Sequence, residues 1–554
     1  MKKKFFAASI ICAAIILLII GYKYEKKSQA LRVRLTLEYT DAQILAGGYF
    51  DILASADENR HLPSDVISYS LGDGFIHLVL PGQVNDNAVV CYIRDENGAY
   101  LARRVYDFTN PVMIGDWQVV LDRSTIPTLY FEADEPGKFD KMCESPVGQE
   151  ICYGNMQIYV DPETAEKCGW YTEYISLESD FSTPFTASLQ GRGQSSFSCD
   201  SKKSFTLRLE KGMSLLGMPK ADAFNLVGNA YDPSLIKNVT FNKHAEEVGI
   251  KYQPQMQNIN LYVDGIYQGV YTLTTKVTVA KSRVNLSNGD YLYKMDSPTQ
   301  LQPLLYSSKT WFEDGLSYPV ADLLYPENAS DEELCKAQEK LQEMIDAMEC
   351  GYESENGLSY EKDLKCDAED VNAAEAEKYP DAAEGVKLSE VVDLDSLARY
   401  YWVEEASMNF DAWQRSVYIY YDHKDKKMHF GPVWDMDLTL GSPYEKEGMT
   451  FTEPYGFKVR NAGYYKALFE NSEFTEAVRD VYENGGVREA LIGLREEFFR
   501  QKESLGEDAY LNWTMFGHAN MGTTLMYGES FDEYCDNMIR FYEERINWLD
   551  EAMK

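Results

Sequence analysis

The chain of 554 residues (63.3 kDa) is too long for one simple hydrophobic core, so two or more domains are expected. A hydrophobic fraction of 45% with 13% aromatic residues excludes a disordered chain. The formal charge of −36 and a sequence pI near 4.6 argue against nucleic acid or an anionic membrane surface as a partner. Any nucleoside polyphosphate would have to sit in a locally positive pocket or on metal ions.

At the N-terminus, Lys2, Lys3 and Lys4 precede an apolar run from Phe5 to Ile20, closed by Gly21 and the polar stretch to Lys27. The run is at the short limit for a spanning helix and longer than a usual signal-peptide core, with no small-x-small cleavage site directly behind it. Residues 1–27 are therefore expected to be an uncleaved signal anchor, with a cleaved signal peptide as the alternative. The lysines should stay cytoplasmic, which puts the body of a single-pass protein outside the cell membrane. Residues 28–125 read as a small β-rich module of short alternating runs broken by Asp73-Gly74, Pro81-Gly82 and Asn97-Gly98. It carries no catalytic constellation, so a spacer or binding role is expected, with cell-wall polymer as a candidate ligand. Ten cysteines and six histidines are dispersed without a CxxC or HExxH pattern, so zinc is not expected. Pairing among Cys143, Cys152 and Cys168 is left open.

More strands follow from Thr128 to Leu209. The turn Gly191-Arg192-Gly193-Gln194-Ser195-Ser196 is rich in small residues, which let backbone N–H groups approach phosphate oxygens closely. No Gly-Lys-Ser/Thr ending follows, so it is not a P-loop, and alone such a segment is more often just a turn. Beyond it Phe205, Leu207 and Leu209 alternate along a strand. Lys203 shares their inward parity, while Lys202, Thr206 and Arg208 point the other way. A lysine on a buried strand face needs an anionic partner, either a phosphate or an ordinary salt bridge.

Asp232 is expected to cap a helix opened by Pro233 and closed by Gly249, with Leu235, Ile236, Val239 and Val248 in the core. The segment from Asn260 to Tyr271 predicts a hairpin turning at Asp264-Gly265. Helices from Ser330 to Glu349, with Ser330 and Glu333 spaced as a capping box, and from Leu388 to Met408 bracket an acidic insertion at about residues 351–386. From Gly456 the pattern is helical to a last segment, Phe531 to Met553. The order of strands, mixed elements and helices gives an α+β class.

The stretch from Asn409 to Leu438 carries the chemistry. Runs from Ser416 to Tyr421 and from Met428 to Leu438 flank a polar segment, a hairpin signal. A turn centred between Lys424 and Asp425 sets Asp411 opposite Leu438, beside Asp435 and Asp437. In a strand those two share one face and Trp434 and Met436 the other. Three converging carboxylates call for a divalent cation with oxygen ligands; the alternative is a solvated strand face with Asp411 as a turn or cap residue. Glycine-rich loop, strand lysine, helix, Asp, hairpin and Asp is also the order in which protein kinases place their phosphoryl-transfer parts.

Four motifs, GRGQSSFSCDSKKSFTLRL, LLGMPKADAFNLVGNAYDPSLIKN, INLYVDGIYQGVYTL and NFDAW…VYIYYD…GPVWDMDL, together span about Leu189 to Gly441, with weaker similarity in the C-terminal helices. In this order the chain resembles the CotH family of spore-coat-type atypical kinases. The resemblance implies a divergent protein-kinase-like core over residues 126–554 and transfer of the ATP γ-phosphoryl group to Ser or Thr of a surface or envelope protein, with Mg²⁺ or Mn²⁺. It assigns Asp411 as the catalytic Asp and Asp435 as the metal-binding Asp, with Asp437 in the same motif. Arg192, Gly193, Ser195, Ser196 and Lys203 fall in the region that handles phosphates. Two positions depart from the family pattern. Gln414-Arg415-Ser416 stands where an Asn suited to a second metal is usual, leaving Ser416 as the ligand, and Thr275-Lys276 replaces a Glu-Lys pair. A non-catalytic, kinase-like envelope binding or assembly protein is the alternative function.

Overall fold

Alternating apolar residues close one sheet of the protein into a barrel. In the computed structural model the strands Phe185–Gly191, Phe205–Met213, Ala221–Val227, Ile266–Thr275, Met256–Val263, Thr128–Ala133 and Ile151–Tyr159 follow one another around a closed sheet. Phe205, Leu207 and Leu209 enter its core with Leu129, Met156 and Leu261, whereas Arg208 and Glu210 face solvent, the period of two expected for this strand. Neighbours pair antiparallel where their register is defined, except that Met256–Val263 runs parallel to Thr128–Ala133.

The structure describes strand segments between residues 31 and 122 and, from Ile126 to Lys554, all residues except 161, 169–181, 194, 199–201, 265, 297–303, 307–319, 350–386, 444, 447–448, 517–527 and 529. The expected N-terminal anchor and the acidic insertion lie outside the described residues. Among the described residues no helix is long and apolar enough to cross a membrane.

The chain divides into two units. One comprises Met1–Ala230, Gln257–Leu273 and Glu503–Ala519; the other comprises Tyr231–Met256, Thr274–Lys502 and Asn520–Lys554. The first holds the barrel and two small antiparallel sheets. In one of these Tyr69–Gly72 and Phe75–Leu80 pair on either side of Asp73-Gly74, and in the other Ala88–Arg94 and Tyr100–Asp107 pair on either side of Asn97-Gly98. Helical geometry within Val487–Phe516 breaks at Gly506. The segment after the break docks on the barrel through side-chain acceptors: Asp508 Oδ1 takes a hydrogen bond from Asn260 Nδ2 at 2.7 Å, and Asn512 Oδ1 one from the Val270 amide at 2.9 Å. Cys143, Cys152 and Cys168 are free thiols.

The second unit is built on a five-stranded antiparallel sheet in the order Leu304–Tyr306, Val320–Tyr325, Tyr291–Asp296, Val417–Asp422 and Lys427–Phe430. Its central helix, Leu394–Ser407, is buried along most of its length, from Leu397 to Ser407. Asp393 caps it by accepting from the Ser396 amide at 2.8 Å, which is why the expected helix from Leu388 to Met408 is split into Leu388–Val391 and Leu394–Ser407. Arg545 and Glu405 form a fully buried ion pair, and the Glu405 carboxylate also accepts from the amides of Lys458 and Arg460, each at 2.7 Å.

Other expectations hold locally. Strands Met256–Val263 and Ile266–Thr275 flank the Asp264-Gly265 turn. Ser330 and Glu333 exchange the two hydrogen bonds of a capping box at the start of Asp331–Glu349. The helix expected to open at Pro233 and close at Gly249 spans Lys237–Glu247, beginning late because Leu235 takes a φ of 64° that a right-handed helix cannot contain. The Asp232 carboxylate still accepts from the Lys237 amide at 2.9 Å, so it braces the helix start from further upstream.

Candidate active site

The site in the second unit begins where the buried central helix stops. Met408 turns left-handed at φ 56°, and the chain leaves the helix into Asn409. The Asn409 side chain points both ways: Nδ2 donates to Glu404 Oε2 at 2.7 Å, and Oδ1 accepts the Asp411 amide at 3.0 Å. Asp411 is half-buried in the turn that follows, with Gln414 Nε2 donating to its Oδ1 at 3.5 Å. Glu404 is fully buried. Burial pushes its carboxyl up, Asn409 opposes that, and the Asp411 charge adds to it, leaving it at about 7.

Ser416 then adopts φ 56°, and its Oγ donates to Asp435 Oδ2 at 3.1 Å. Two residues placed on the metal by sequence, nineteen positions apart, are thus in direct contact. The hairpin between them has the expected register, with Asp422 opposite Lys427 and Ile419 opposite Phe430. It is shorter than expected. Pro432, which has no amide hydrogen to give, follows the last paired residue by two, and the chain continues as a loop.

This corrects the strand geometry. Asp411 lies in a turn and does not face Leu438 across a ladder. Asp435, at φ 67°, is exposed, whereas Asp437 is buried, so the doublet does not share a strand face. Trp434 and Met436 are both buried and anchor the loop between the two acids. Further bonds fix it. The Met436 amide donates to Asn238 Oδ1 at 2.9 Å, Lys237 Nζ donates to the carbonyls of Thr439 at 2.7 Å and Asp437 at 3.3 Å, and the Leu440 amide donates to Ser407 O at 3.0 Å.

Charge is concentrated here. Burial, and then the charges of Asp435 and Asp232, push the Asp437 carboxyl up to about 8 against the opposing Lys237 ammonium. Lys237 is itself fully buried, and desolvation holds its ammonium below the usual range. Asp232 spends its oxygens on the Ser234 amide and hydroxyl and the Lys237 amide. On the flanking strand, Lys294 forms an ion pair with Asp296 and stands 5.9 Å from the Tyr418 ring centroid. Burial disfavours its charge, but Tyr418, Asp296 and Asp435 outweigh that and raise its pKa.

The donor set fits a hard divalent cation. It offers an exposed carboxylate, a hydroxyl hydrogen-bonded to that carboxylate and a second carboxylate whose ionisation is held back by burial and then by like charge. Asp411, Asp435 and Asp437 do not crowd into a single cage: among the described residues, the acidic and histidine ligand atoms that all lie within 4.8 Å of one another are those of Asp290, Asp422 and His423. There both oxygens of Asp290 already accept hydrogen bonds, from His423 N and Nδ1 and from Ser287 N and Oγ, so that cluster braces a turn.

The phosphate-side candidates lie in the first unit. Gly191 ends its strand under the Phe197 ring, where a Cβ would come within 2.2 Å, and Gly193 takes φ 77° against Ser196 Oγ. Ser195 and Ser196 open a single helical turn, Ser195–Ser198, and the Arg192 amide donates to Ser204 O at 3.0 Å. Lys203 corrects the parity argument. It precedes the strand, which begins at Phe205, so alternation does not extend to it. It is half-buried, and its Nζ donates to Phe197 O at 2.8 Å. The buried lysine is Lys202, whose Nζ donates to Val270 O at 2.6 Å and Asn512 Oδ1 at 2.9 Å. Thr275, at the position of the expected Glu, accepts from the Gln255 amide at 3.0 Å through Oγ1.

Sequence reasoning missed Glu404, Asn409, Lys237, Asn238 and Lys294. Three of these were within reach: Lys237 and Asn238 end the LIKN segment of one of the family motifs, and Asn409 is a polar residue two before a turn Asp, a common brace for its amide. Residues 189–549 match the family described as CotH kinase protein, a span that contains every residue named above for the acidic loop. No curated protein matches the chain.

Proposed function

The chain belongs to the CotH kinase protein family, and on that premise we propose that it is an atypical protein kinase transferring the ATP γ-phosphoryl group to Ser or Thr hydroxyls of a surface or envelope protein. The observation that carries the reading is the Ser416–Asp435 contact at 3.1 Å, which joins the loop after the buried helix to the acidic loop after the hairpin. Asp411 orients the acceptor hydroxyl and takes its proton as the oxygen attacks the γ-phosphorus and ADP departs. Asp435 and Asp437, with the Ser416 hydroxyl, hold Mg²⁺ or Mn²⁺, which when bound neutralises charge on the phosphates. Lys237 and Asn238 fix the acidic loop. Arg192, Gly193, Ser195, Ser196 and Lys203 are the residues proposed to meet the phosphates. The Phe5-to-Ile20 run behind its lysines supports a membrane-tethered, extracytoplasmic body, with secretion after cleavage as the alternative.

Labelled ATP, Mg²⁺ or Mn²⁺ and a Ser/Thr acceptor test the reading directly. Asn tolerates the left-handed backbone at position 435, so Asp435→Asn keeps the loop and removes the charge. Transfer should fall by about 10²-fold or more in Asp435→Asn and in Asp411→Asn. Undiminished transfer by folded Asp435→Asn would reject the assignment. A second reading, a non-catalytic envelope binding module, draws support from Thr275 and Lys203 being occupied by backbone partners. It predicts no metal-dependent rise in melting temperature with ATP.

A further inference from the structure

Protein kinases place a second Mg²⁺ on an Asn of the catalytic loop. Here the five residues after Asp411 are Ala412, Trp413, Gln414, Arg415 and Ser416, none of them an Asn. The same flank of the site carries a lysine that no kinase part accounts for. Lys294 lies on Tyr291–Asp296, directly opposite Tyr418 in the sheet. Its ammonium pairs with Asp296 and stands 5.9 Å from the Tyr418 ring centroid, and the Tyr418 ring meets Trp434 edge-on at 6.4 Å. Ser416 lies two residues before Tyr418 and Asp435 one after Trp434, and these two are hydrogen-bonded to each other. Lys294 is therefore linked to the Ser416–Asp435 pair by one register position and two ring contacts, and its side chain remains 23% exposed.

We propose that Lys294 is a built-in cation next to Asp435, doing the work of a second divalent ion, so that the site functions with a single metal. This rests on the kinase reading for its chemistry, but not for its electrostatics. Lysine and metal share the attraction of the same carboxylate and repel each other. Removing the ammonium should therefore tighten metal binding while impairing the handling of phosphates.

The test counts Mn²⁺ bound to the full-length protein without nucleotide, by the paramagnetic resonance signal of free Mn²⁺, alongside labelled phosphoryl transfer. The wild type should bind one Mn²⁺ at this site. Lys294→Met should bind it several-fold more tightly and lose about tenfold or more of transfer, and Lys294→Arg should stay near wild type in both. Two Mn²⁺ held by the wild type at the acidic loop, the second lost in Asp435→Asn, would overturn the proposal. So would unchanged or weaker Mn²⁺ binding in folded Lys294→Met. Should Lys294→Met not fold, Lys294→Gln carries the same sign, and the wild-type count needs no variant. One Mn²⁺ with the expected tightening but no transfer in any variant leaves the lysine assignment standing and removes the kinase reading; transfer with two metals does the reverse.

Discussion

Glu404 shows what a carboxyl sealed behind a catalytic-type loop does to stability. Burial raises it from its ordinary 4.5 to about 7, so the folded state holds a proton that the unfolded chain releases. Between those values the native state binds more protons, and stability falls as pH rises through the window, levelling off above about 7. The full effect is about 3 kcal/mol. Glu404→Gln cannot release that proton, and its amide oxygen still accepts from Asn409. It should flatten the decline and be more stable than the wild type at pH 8, as read from denaturant midpoints across pH; parallel pH curves for the two proteins would mean the carboxyl is not held neutral. Glu404→Ala removes the Asn409 partner, frees the Asp411 turn and should slow transfer while costing about 1–3 kcal/mol. None of this was legible from residue type, because a Glu in a helix is by default a solvated one, and only the helix buried on all sides overrides that.

At the scale of elements, local chemistry read well and long-range closure did not. The turn residues around Lys424 and Asp425 set the hairpin register, and Ser330 with Glu333 set a helix start, because both are decided within a few residues. Extension of the second strand to Leu438 failed because alternation of Trp434, Asp435, Met436 and Asp437 mimics a strand, while Pro432 had already ended the ladder. The lysine assignment failed for a related reason. Which of Lys202 and Lys203 is buried is decided by Asn512, some three hundred residues away, and by Gly269, which admits the Lys202 stem. A Cβ at Gly269 would lie 2.7 Å from Asn512 Oδ1 and 2.8 Å from Lys202 Cε, at a φ of 105°. Gly269→Ala should therefore cost about 2 kcal/mol or more in a denaturant titration. An unchanged midpoint would show that the lysine and its partners give way freely, and that the barrel does not depend on their arrangement.

For the whole molecule, the order of motifs carried the family, since each motif alone is an ordinary turn, strand or hairpin and only their sequence from Leu189 onward is specific. The division into units was hidden, because Glu503–Ala519 belongs with the barrel although it follows the helical part in the chain. The charge of −36 has a consequence that no single residue has. A strongly acidic enzyme draws basic acceptors toward it and repels acidic ones, and that field is screened over about 10 Å at 0.1 M salt. If the chain phosphorylates proteins, kcat/KM for a Ser-bearing peptide rich in Lys and Arg should fall about tenfold or more between 20 and 300 mM NaCl, whereas a neutral peptide of the same length should change little. The fall should sit in KM, because encounter and not chemistry is screened. Identical salt responses for basic and acidic acceptors would mean that the acidity serves solubility alone, and that acceptor choice rests on contacts at the Asp411 turn.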